Sequence, residues 1–125
     1  MATQEINSTH WKRFCSKFLE LHRGTLMTVR KIEPSGRSVE TIRDMPLSDV
    51  RMESGDCNDR IYLTFEQDGK REVTQEIVEP IHVKLREEGE GQKGLQFDAE
   101  NGSTLVLFRS GRFKELMQSL DGEVL

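Results

Sequence analysis

The stretch that decides the fold runs from Arg60 to Val78, RIYLTFEQDGKREVTQEIV. Ile61, Leu63 and Phe65 alternate with Arg60, Tyr62, Thr64 and Glu66. That two-residue period belongs to a strand with one buried face. Asp68-Gly69 follows, a dipeptide that accepts the positive φ of a tight hairpin turn. The chain returns over Arg71 to Val78 with Val73 and Ile77 on one face. An antiparallel pair results, and the rest of the chain is read outward from it.

Downstream, Pro80 cannot donate to a ladder and marks a bend or a sheet edge. Ile81, Val83 and Leu85 then alternate with His82, Lys84 and Arg86, a third strand. Residues 87–94, rich in Gly and Glu, are expected to form a loop. Leu95 to Ala99 and Ser103 to Arg109 flank Asn101-Gly102, a second hairpin signal. The unbroken apolar run Leu105 to Phe108 predicts a strand covered on both faces. A closing helix is expected from Ser110, with Phe113, Leu116, Met117 and Leu120 on one stripe.

Upstream, Trp11, Phe14, Cys15, Phe18, Leu21 and His22 recur at helical spacing and predict a helix from Thr9 to Arg23, stopped by Gly24. Thr25 to Ile32 and Ser38 to Arg43 read as strands about the turn Pro34-Ser35-Gly36. Met45-Pro46-Leu47 is expected to break the second of these, with a short piece resuming at Val50. The expected fold class is therefore α+β. It comprises a curled, largely antiparallel sheet, a half-barrel-like meander of six or seven strands, flanked by an N-terminal and a C-terminal helix. At 125 residues this is one domain, with an ordered core over about residues 8–120.

The order of landmarks resembles a bacterial family of small proteins catalogued as domain of unknown function 5335. Trp11-Lys-Arg-Phe14, His22-Arg23-Gly24, Met45 to Val50, Asp59-Arg60-Ile61, Glu79 to Val83 and Asn101 to Phe108 carry the resemblance, which covers roughly residues 9–109. It implies a small domain in a bacterial cytoplasm. It implies no activity, cofactor or site residue.

The charge pattern excludes some functions. The net charge of −4 is uneven, +1 over residues 1–60 and −5 over residues 61–125. A general binder of phosphate backbones needs the opposite sign. Tyr62 is alone on its strand face, where RNA-binding sheets stack bases on several aromatics. No apolar run is long enough to cross a bilayer, and the polar first residues lack the apolar segment of a signal peptide. Neither nucleic acid nor membrane is expected as a partner, and the expected setting is cytoplasmic.

Chemistry-bearing residues are scattered. His10, His22 and His82 lack metal-ligand spacing and no CxxC is present. Cys57 lies between Asp56 and Asp59, which disfavour a thiolate. Asp98 and Glu100 are expected to face solvent near a turn. Gly91 to Gly94 lacks the glycine spacing of a phosphate loop. No catalytic residue, metal ligand or cofactor is assigned, and an enzyme is the less favoured class.

Two readings remain. The first is a non-enzymatic interaction module, a homodimer pairing through a sheet edge or a helix stripe, with room for another protein partner. The second is a small-molecule binding protein or minor enzyme with a pocket between sheet and helix. The polar strand residues Arg43, Arg60, Tyr62, His82 and Arg109 are its candidate ligand-binding set.

Overall fold

The computed structural model describes residues 3–55, 58–89 and 91–109. In chain order the elements are β1 (Thr3–Glu5), a 3-10 turn (Ser8–His10), α1 (Trp11–His22), β2 (Leu26–Ile32), β3 (Ser38–Ser54), β4 (Asp59–Gln67), β5 (Arg71–Val78), β6 (His82–Gly89), β7 (Gln92–Ala99) and β8 (Gly102–Arg109). The strands form a single sheet in the order β1-β6-β7-β8-β2-β3-β4-β5. Every pairing is antiparallel.

This corrects the expected fold class. The described residues are mostly β, eight strands with one short helix, and a strand precedes that helix. Among the described residues the sheet carries one helix, Trp11–His22, and not a helix at each end. The helix expected from Ser110 onward lies outside the described residues. β1 was not expected, because three polar-flanked residues carry no period; pairing of Thr3, Gln4 and Glu5 with β6 makes them a strand.

The 17-residue β3 organises the molecule. Its first half pairs with β2 as far as Leu26↔Pro46, and its second half pairs with β4 from Leu47↔Phe65. The expected break at Met45-Pro46-Leu47 is thus absent. Pro46 sits where β3 changes partner, so its missing N–H interrupts neither ladder. The strand bends just before, at Asp44, whose φ is +48. The Thr28 hydroxyl accepts from the Asp44 N–H at 3.2 Å and holds the bend. A strand that switches ladders at a bend turns the corner between two layers. The β4–β5 half thereby folds back, and Thr41 Oγ1 of β3 donates to Gln75 Oε1 of β5 at 3.3 Å.

The inner faces of both halves meet in one core. Val29, Ile61, Phe65 and Phe18 are wholly buried there, with Leu63, Leu85, Leu95, Phe97 and Val106 almost so. Helix α1 supplies Trp11, Phe14, Cys15, Phe18 and His22, all buried on one face. The Trp11 indole N–H donates to the Ile6 carbonyl at 2.9 Å and fixes the chain entering the helix. The Gly-rich stretch expected as a loop over residues 87–94 instead continues both strands. Gly89 and Gly91 take positive φ (+94 and +80), which lets β6 and β7 run on almost to the turn.

Candidate functional site

The densest polar constellation lies on the outer face of β6, β7 and β8. The ladder places Lys84 opposite Gln96, His82 opposite Asp98, and Asp98 opposite Ser103. Arg86 Nη1 donates to Gln96 Oε1, Gln96 Nε2 to Asp98 Oδ1, and Ser103 Oγ to the same Oδ1, each at 2.7 Å. Lys84 Nζ stands 3.2 Å from Asp98 Oδ2. Burial pushes the Asp98 carboxyl up. Hydrogen bonds from Gln96, Ser103 and Lys84, together with the Lys84 charge, outweigh that and hold it below the ordinary carboxylate value. Asp98, expected to face solvent, is instead one-fifth exposed and fully engaged.

This constellation knits strands together, and no proton-transfer route runs through it. Asp98 is ionised and surrounded by donors. The Ser103 hydroxyl donates its hydrogen bond to Asp98 with no imidazole between them, so it lacks the base a nucleophilic serine needs. His82 Nδ1 donates to Glu5 Oε2 at 2.9 Å and ties β1 to β6. Both side chains are about half exposed (46% and 54%), far from the desolvated setting that sharpens such a pair.

The five candidate ligand-binding residues do not converge. Arg43, on β3, pairs with Glu40 at 2.9 Å and is exposed. Arg60 and Tyr62 share the outer face of β4; Arg60 lies 3.5 Å from Glu76, and Tyr62 stacks beneath Arg51 at 4.8 Å. His82 stands on β6, across the sheet from them. Arg109 ends β8 beside an open depression shared with Thr25, Leu26 and Asp44. Lys84, Gln96, Asp98 and Ser103 were not grouped from the sequence. The Asn101-Gly102 turn carried the signal, because it fixes the register that sets Ser103 against Asp98.

Two other groups resolve as structural. His22 Nδ1 donates to the Phe18 carbonyl at 3.1 Å, the bond expected of an imidazole at a helix end. Its ring stacks on Phe18 at 4.6 Å and meets the edge of Phe108 at 5.1 Å. Burial pushes the Cys15 thiol up to about 12, so it stays protonated and inert. Among the described residues, no group of three or more His, Cys, Asp or Glu could hold a metal ion. No helix among them is long and apolar enough to cross a membrane.

A partly enclosed cleft lies elsewhere, at the mouth between the two halves of the sheet. It offers about 100 Å³ between the end of β5 and the ends of β2 and the β7–β8 hairpin. Comparison with protein-family models, with curated proteins and with solved structures returns no match.

Proposed function

We propose that this protein is a non-enzymatic interaction module that self-associates through the edge of β5. The observation that carries the reading is the inequality of the two sheet edges. β1 closes one edge with three residues, too few to template a partner. β5 ends the other with eight, and no described strand pairs with its outer side. A long free strand leaves backbone N–H and C=O groups without ladder partners.

The charges of β5 select a register. Partners must match face to face, so a two-fold axis passes through one residue. An axis at Thr74 sets Glu72 against the partner's Glu76, a like-charge clash repeated twice. An axis at Gln75 sets Val73 against the partner's Ile77, and Thr74 against the partner's Glu76. The second register has apolar matches on the inner face and no acidic clash. The resemblance to the bacterial family supports a cytoplasmic setting for such a dimer.

Light scattering after gel filtration tests the proposal, with a dimer expected at micromolar concentration. Thr74→Glu places a carboxylate against Glu76 of the second copy, twice per interface, and is expected to weaken the dimer by about tenfold. Adding Glu76→Lys to that variant is expected to restore it. A wild-type chain that stays monomeric, or a Thr74→Glu variant that dimerises unchanged, rules the edge out.

A further inference from the structure

We propose that the cleft between the two halves of the sheet is a binding site for a short-chain monocarboxylate, held by Thr104 and Lys31. The cleft shares Glu76, Ile77 and Val78 with the β5 edge, but the inference rests on Thr104 and Lys31, which lie on other strands. Thr104 lies on the inner face of β8, where its neighbours Val106 and Phe108 belong to the core. It lines the cleft and is only 3% exposed. Its hydroxyl makes no hydrogen bond to any described residue. A buried hydroxyl without a partner is unfavourable, and a group that completes the bond is favoured there.

Lys31 is the cross-strand partner of Thr104 in the β2–β8 ladder, so the two side chains leave the same face side by side. Among the described residues Lys31 has no ion pair. The two acids at the cleft are already matched. Glu33 lies 3.7 Å from Arg37, and Glu76 lies 3.5 Å from Arg60. The unmatched charge facing an occupant is therefore a single ammonium beside a single hydroxyl. That pair suits one carboxylate, whose two oxygens accept from both.

The remaining walls define the rest of the ligand. Ile77, Val78 and Ala99 are apolar and suit a short alkyl chain. Space of about 100 Å³ limits the occupant to a few heavy atoms. Inorganic phosphate fits less well. It carries more oxygens than the two donors can meet and would leave the rest unpaired against the apolar wall.

The test titrates the full chain with sodium butyrate against sodium chloride at equal ionic strength, read by heteronuclear NMR. Saturable shifts are expected at Thr104 and Lys31. Affinity is expected to fall roughly tenfold in Thr104→Val and in Lys31→Met, each of which removes one donor. Thr104→Val keeps the side-chain shape and is expected to melt no lower than wild type. Thr104→Ser, which keeps the hydroxyl, is expected to bind like wild type. The proposal is overturned by butyrate shifts that do not saturate, by equal affinity in Thr104→Val, by loss in Thr104→Ser equal to that in Thr104→Val, or by tighter binding of inorganic phosphate.

Discussion

The outer faces of the two halves of the sheet are built on different rules. On β6, β7 and β8 the polar side chains are half-buried and joined, with one carboxylate, Asp98, receiving donors from both flanking strands. On β4 and β5 they stand as separate exposed pairs, Arg60 with Glu76 and Arg51 over Tyr62. Joined and partly desolvated groups reinforce one another, whereas isolated exposed pairs contribute little. The first half is a fixed platform. The second carries the core on its inside and offers an edge on its outside, and the substitutions below separate the two.

The largest contrast is expected at the two hairpin turns. Gly102 joins β7 to β8 with φ +126, and a Cβ there would collide with the backbone carbonyl of Ile32. Gly69 joins β4 to β5 with φ +66, and a Cβ there would meet only the Glu66 side chain at 3.6 Å. Gly102→Ala combines strain with a backbone clash and is expected to cost about 3 kcal/mol. Gly69→Ala carries the strain alone, about 1 kcal/mol. Urea unfolding of both variants checks this, and equal losses would remove the asymmetry between the halves.

Asp98→Ala comes next, at about 2 kcal/mol, because it strips a shared acceptor from Gln96, Ser103 and Lys84. The pH dependence supplies the sign. The folded carboxyl titrates below its ordinary value, so ionised Asp98 adds stability that is complete above the unfolded pKa of about 4. That increment is lost as the pH falls through the folded value. Wild type and Asp98→Asn are therefore expected to differ in urea midpoint at neutral pH and to converge in acid. Curves that stay parallel down to about pH 2 would place the stabilisation somewhere other than the charge.

The same contrast governs what could be read from the residues in order. The β4–β5 hairpin was legible because both its signals are local: strict alternation from Ile61 to Phe65, and Asp68-Gly69, both with positive φ. Helix α1 was legible for the same reason, its buried residues matching the apolar spacing. β3 was not, because Pro46 reads as a breaker until its place between two ladders is known. Gly89 and Gly91 likewise read as loop, although their conformations extend a hairpin. The outer-face constellation and the cleft depend on register across distant strands. Lys31 and Thr104 become neighbours only once β2 is paired with β8, and that pairing leaves no local mark in either segment.

The smallest effect is expected on the β4–β5 face, and its smallness is the informative part. Arg60 and Glu76 lie 3.5 Å apart with 43% and 42% of their side chains exposed. Water and salt screen a pair so placed, and ordering two long side chains offsets much of the attraction. Glu76→Gln is expected to shift stability by no more than about 0.5 kcal/mol, and by less in high salt. Arg51→Ala, which also removes the cation from the Tyr62 ring, is expected to cost about 0.5–1 kcal/mol. Chemical denaturation at low and high salt measures both. A loss from Glu76→Gln as large as that from Asp98→Ala would mean that the Arg60–Glu76 pair is desolvated, whereas pairing along the β5 edge leaves that outer face open to water.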